Sequence, residues 1–179
     1  YKITQQYNSA NKLVEKTYYY DDDLRQTSQF DDKGNRTQTV YENRRGRPKI
    51  GRNGYAKQTL KYNSNGDEIE SAYWGPTGNP ALYGRHGYAK EVTEYNAQAK
   101  KVKVAVFCLE GQPVLRRWSG YSVYTMAYNA AGQLTERAYF GVHGEPAMGG
   151  RYRRIHYFKE VIEYNANDKN MKKTFYDLQ

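Results

Sequence analysis

The chain has little of what stabilises most small domains. It has one cysteine, Cys108, so an internal disulfide is excluded and the redox compartment is unreadable. Only eight of 179 residues are leucine and the mean hydropathy is −1.04, too polar for a thick two-layer interior. No apolar run approaches the roughly 20 residues that span a bilayer as a helix. No leader-like pattern is present either, an absence that carries no information in a chain starting at Tyr1. Acidic residues are outnumbered 19 to 28, which gives a formal charge of +9 and favours an anionic partner. Disorder would suit such polarity, but disordered segments are poor in aromatics and this chain is 15% aromatic.

What is abundant is tyrosine, with twenty copies, and the tyrosines repeat. An aromatic followed by Asn or Asp recurs at Tyr7, Phe30, Tyr62, Tyr95, Tyr128 and Tyr164, at spacings of 23, 32, 33, 33 and 36. Eleven residues after each comes Tyr18, Tyr41, Tyr73, Val106, Tyr139 or Phe175, without variation. A fixed interval beside variable ones marks a rigid substructure joined by tolerant loops. In "VYTMAYNAAGQLTERAYF", Val123 to Phe140, strand-forming residues flank Asn-Ala-Ala-Gly. Asn can bond the backbone ahead of it and open a turn, and Gly132 can close it in the left-handed region. Gly34 and Gly66 take the closing position elsewhere, with Asn11 and Asp168 tolerable there; Ala99 predicts a distorted turn. A β-branched residue three before each aromatic supports a strand.

The later connections share a second signature. Gly46, Gly78, Gly111 and Gly144 lie sixteen residues after the leading aromatic, and Pro48, Pro80, Pro113 and Pro146 lie eighteen after it. Gly-Tyr then opens the next strand at Gly54, Gly87 and Gly120, with Tyr157 in the corresponding place of the last unit. The pattern predicts an all-β fold: an elongated antiparallel array of six hairpins, an open twisted sheet or a solenoid. Its units run about 1–22, 23–53, 54–86, 87–119, 120–153 and 154–179, the last cut short.

"YNAAGQLTERAYF", "YNSNGDEIESAYW" and "FDDKGNRTQTVYE" resemble the YD repeats of the Rhs family. The first interval of 23 residues is similar to a YD unit; the later units add roughly ten around Gly-x-Pro. The resemblance implies a tyrosine-rich array in a larger bacterial surface, secreted or toxin-associated protein, so an extracellular or cell-surface location is expected. It also implies scaffolding repeats without catalytic residues, and further repeats or domains of the same chain as neighbours.

"RRGRPKIGRN", Arg44 to Asn53, looks like an AT-hook, an extended segment that lies in the minor groove of A·T-rich DNA. Its Gly46-Arg47-Pro48 nevertheless falls in register with the "GNP", "GQP" and "GEP" of the other linkers, so the Gly and Pro have a turn to make. Arg44, Arg45, Arg47, Lys49 and Arg52 remain to be explained, as do Arg85, Arg116, Arg117, Arg151, Arg153 and Arg154 in the following linkers. A regular array would bring these to one side as a positive rim for a glycan, a nucleic acid or an acidic protein face. The alternatives are solvation of exposed loops and a dedicated nucleic-acid binder working through Arg44–Arg52. Trp74, Phe107 and Phe140, on the strand face opposite the repeated tyrosines, are either core or an exposed aromatic platform.

Catalysis finds no support. His86, His143 and His156 lack metal-ligand spacing. Cys108 falls inside a strand pattern without a His or Asp at a motif-like distance, and "DDDLRQ" reads as a solvated turn. The repeat-equivalent pairs Glu91/Glu94 and Glu160/Glu163 read as a solvent face. No catalytic residue, metal or cofactor is therefore expected.

Overall fold

The computed structural model describes residues 2–149, 157–165, 167 and 170–178. They form two compact units, Tyr1–Arg85 and His86–Gln179, each with three hairpins. The first contains β1 (Lys2–Tyr7), β2 (Leu13–Tyr19), β3 (Arg25–Phe30), β4 (Arg36–Glu42), β5 (Lys57–Tyr62) and β6 (Glu68–Trp74). The second contains β7 (Lys90–Tyr95), β8 (Lys101–Phe107), β9 (Val123–Tyr128), β10 (Leu134–Phe140), β11 (Lys159–Tyr164) and β12 (Asn170–Tyr176). Within each unit every strand is antiparallel to the next and sheet order is chain order, so the sheet is open. The all-β hairpin array expected from the repeat is present. A single 3-10 turn, Gly84–His86, is the one helical element among the described residues.

Local chemistry makes the hairpins. The Asn or Asp after the leading aromatic accepts backbone N–H groups just ahead of it in its side chain: Asn96 Oδ1 takes those of Gln98 and Lys100, each at 3.0 Å. Asp31 does the same for Lys33 and Asn35, and the Asn35 amide also bonds its other oxygen. That amide is the main reason its carboxyl lies below the ordinary range. A one-residue register shift follows at the leading aromatic of every hairpin, for example between Lys61 and Tyr62, a β-bulge that tightens the twist. Turn and bulge together lock the eleven-residue interval.

Ala99 corrects the sequence reading. It adopts φ 56 and donates its N–H to Asn96 O at 3.0 Å, so its turn is as regular as the others. A Cβ in the left-handed region costs about 1–2 kcal/mol, of which glycine's greater unfolded-state freedom would return part. Ala99→Gly is therefore expected to stabilise the chain by about 0.5–1 kcal/mol, raising Tm by a few degrees in a thermal melt. An unchanged or lower Tm would show that the turn carries no strain.

The Gly-x-Pro segment is a second copy of the same turn. Asn43 N bonds Arg47 O, Gly46 N bonds Asn43 O, and Asn43 Oδ1 accepts from Arg45 and Arg47. The chain then pairs briefly with the strand it has left, through the bridge Glu42↔Pro48 and a bond from Lys49 N to Tyr41 O. It leaves again while Tyr41 N bonds Ala56 O at the head of β5. The extra nine or ten residues are thus looped out beside an unbroken β4–β5 pairing.

These loops cover the tyrosine face. Tyr41, Tyr73, Val106 and Tyr139 are all buried there. Ten residues after three of them, the linker places Gly51 against the Tyr41 ring, Tyr83 stacked on Tyr73 at 4.7 Å, and Gly149 against Tyr139. Tyr55 lies between Tyr41 and Tyr73, with ring centres 5.6 and 4.8 Å away. Burial pushes the Tyr41 hydroxyl pKa up. Tyrosine hydroxyls also tie hairpins together: Tyr62, Tyr128 and Tyr164 donate to the carbonyls of Arg36, Lys101 and Leu134 in the preceding hairpin. Polar pairs such as Ser28 Oγ–Thr39 Oγ1 at 3.3 Å fill places where aliphatic side chains are missing.

Candidate basic linker surface

The Arg44–Asn53 loop does not stand alone. It lies against the turn Tyr20–Leu24, whose Asp23 takes the same left-handed place, φ 58, that Gly46 takes in its own turn. Arg44 Nε is 3.9 Å from an Asp23 carboxylate oxygen, and the Arg44 N–H donates to it at 3.0 Å. Lys49 Nζ donates to the carbonyls of Asp22 and Asp23, both at 3.1 Å. Arg52 Nη2 is 3.5 Å from Asp22 and its guanidinium lies 5.7 Å from the Tyr20 ring centre. The "DDD" turn is thus a docking partner of the basic loop. Exposed pairs at these distances contribute at most about 1 kcal/mol each and are screened by salt. Five cations against three carboxylates, Asp21 to Asp23, leave a local excess of two positive charges.

Arg45 and Arg47 are exposed and make no ion pair among the described residues. Their backbone is fixed by the closed turn on Asn43. Gly46-Arg47-Pro48 is accordingly a tight turn, not the extended strand that a minor-groove hook requires.

The other linker cations have different fates. Arg85 and Arg117 are exposed, Arg117 lying 5.9 Å from the Trp118 ring centre. Arg116 is withdrawn from the rim. Its side chain is only 16% exposed, its Nη2 donates to Glu91 Oε2 at 2.8 Å, and the rings of Tyr88, Tyr121 and Tyr124 surround it at 5.1, 5.8 and 6.0 Å. Burial disfavours its charge, Glu91 favours it, and the net shift of its pKa is upward. Arg151, Arg153 and Arg154 lie outside the described residues.

Trp74, Phe107 and Phe140 are half-buried on the face opposite the tyrosines. Trp74 Nε1 donates to Thr59 Oγ1 at 3.0 Å, and the cross-strand lysines Lys57 and Lys90 lie 5.6 and 5.0 Å from the Trp74 and Phe107 ring centres. Lys2 and Lys159 repeat this arrangement on Tyr19 and Tyr176. Cross-strand ammonium groups therefore cap Trp74 and Phe107.

The acidic pairs need correction as well. Glu94 and Glu163 are exposed, whereas Glu160 is 5% exposed and accepts from Lys173 Nζ at 3.1 Å. Glu91 is bound to Arg116 and to the Tyr88 hydroxyl at 3.0 Å. Residues three apart on a strand point to opposite faces, so each pair divides between an inner and a solvent face. Cys108 opens the turn after β8, in the place that Asn43 takes after β4. No group of three or more potential metal ligands occurs among the described residues, and His156 falls outside them. No model of a known protein family matches this chain, and no curated protein matches it.

The sequence contained one unread signal. Asp21 to Asp23 and Arg44 to Gly46 occupy the same three offsets, fourteen to sixteen residues after Tyr7 and Phe30. Equal offsets in consecutive hairpins become neighbours across a sheet whose order follows the chain.

Proposed function

We propose that the array is a non-catalytic binding or scaffolding module of a larger, YD-like bacterial surface, secreted or toxin-associated protein, with its basic linkers taking an anionic partner. The observation that carries this reading is the pair Arg45 and Arg47: exposed, without ion-pair partners among the described residues, and fixed on a rigid turn. Such a turn presents charge at little entropic cost on binding. Retention on a sulfated polysaccharide and on A·T-rich duplex DNA, at about 50 and about 200 mM salt, tests it. Arg45→Ala/Arg47→Ala is expected to reduce binding severalfold at low salt and to flatten the salt dependence. No retention of the parent chain, or retention indifferent to both arginines, defeats the proposal. Selective binding of A·T-rich DNA, lost entirely with this loop, would favour the dedicated nucleic-acid binder instead.

A further inference from the structure

The long linkers cover the tyrosine face after β4, β6, β8 and β10, but the connection from β2 to β3 is only the turn Tyr20–Leu24. It has neither the looped-out segment nor the Gly-Tyr that elsewhere fill this space. What results in the amino-terminal unit is a hollow of about 220 Å³ lined by Tyr20, Leu24, Gln26, Tyr41, Arg52 and Asn53. It is smaller than the roughly 300–1,000 Å³ of sites for drug-sized ligands, a size suited to one ring.

Its chemistry is specific. Tyr20 and buried Tyr41 give aromatic walls. Gln26 accepts the Tyr20 hydroxyl through Oε1 at 3.2 Å, while its Nε2 has no hydrogen-bond partner among the described residues. The Asn53 amide and the Arg52 guanidinium stand at the exposed mouth, Arg52 held there by the Tyr20 ring and the loose pair with Asp22. That exposed pair is weak enough for another carboxylate to replace.

We propose that this hollow binds a carboxylated pyranose, a uronate residue of an acidic glycan. Arg52 would take the carboxylate through its two-pronged guanidinium, Gln26 and Asn53 the ring hydroxyls, and the tyrosines the sugar's C–H face. The size of the hollow decides against nucleic acid, since a nucleotide separates its base from its phosphate by a second ring, whereas a uronate carries its carboxylate on the one ring that fits. An acidic peptide would engage Arg52 and offer the Gln26 amide a carbonyl, but an Asp or Glu side chain has no ring to lie on the tyrosine walls.

The inference rests on the anionic-partner reading for its charge and places the ligand at a different point from Arg45 and Arg47. The test is calorimetric titration of the full chain with tetragalacturonate, its neutral methyl ester, tetraglutamate and a single-stranded tetranucleotide. Tetragalacturonate is expected to bind saturably, and the other three about tenfold more weakly or not at all. Gln26→Leu should weaken uronate binding by about tenfold, the loss of one well-made bond to a charged or hydroxyl ligand. Asn53→Trp, at an exposed position, should block the hollow. Uronate binding indifferent to both Gln26→Leu and Asn53→Trp, or matched by tetraglutamate or the tetranucleotide, overturns the assignment. If uronate fails while Arg45- and Arg47-dependent polyanion binding persists, this inference falls alone; if no polyanion binds, both readings fall.

Discussion

Gly51→Ala should destabilise the amino-terminal unit by about 2–3 kcal/mol, a cost typical of forced overpacking. A Cβ at Gly51 would lie 2.8–2.9 Å from three atoms of the Tyr41 ring, and that buried ring is held between the linker and Tyr55. Gly51 does not have a positive φ, so the penalty comes from space and not from backbone strain. Gly149→Ala should behave alike in the second unit, its Cβ overlapping the Tyr139 ring. The repeat itself suggests the remedy. Where the strand residue shrinks to Val106, the residue ten further on grows to Arg116. Tyr41→Val combined with Gly51→Ala should therefore cost less than the sum of the two separately, by about 1 kcal/mol or more of coupling. Urea unfolding of the four proteins measures this, and a neutral Gly51→Ala would show that the linker does not pack on the ring as described.

Replacing Glu91 with alanine should cost the carboxy-terminal unit about 2–3 kcal/mol. Breaking a buried pair costs about 3–5 kcal/mol because the remaining charge is stranded, and the partial exposure of this one, 16% and 26%, lowers the figure. Arg116 has little to fall back on. Its Nε already lacks a partner among the described residues, and the three tyrosine rings offer a cation their faces. Adding Arg116→Met to Glu91→Ala removes the stranded charge while keeping an unbranched side chain among the rings, so the double variant should recover most of the loss. Denaturant midpoints at low and high salt decide the matter. A loss below about 0.5 kcal/mol, or one abolished by salt, would mark the pair as an ordinary surface contact.

The hairpins were legible in the sequence because their causes are local. Asn96 bonds the backbone two and four residues ahead, a reach set by one side chain, and the bulge beside each leading aromatic keeps the count to eleven. Even Ala99 obeys, since the bonds around it outweigh its Cβ. Burial of the charged residues was not legible. Glu160 and Glu163 read alike in the repeat, yet one is inside and the other in water. Arg116 and Arg117 are adjacent, and only one enters the tyrosine cage.

The sequence by itself determined where the chain turns, which residues form strands and which hairpin follows which, because backbone geometry and bonds spanning a few residues suffice for these. Only the tertiary structure decided that the acidic turn receives the basic loop, that Arg116 is caged, and that a shortened connection leaves a lined hollow beside Tyr20. Each of these joins residues more than twenty apart along the chain or on opposite faces of a strand, and their distances are fixed by stacking between hairpins, which no local preference encodes.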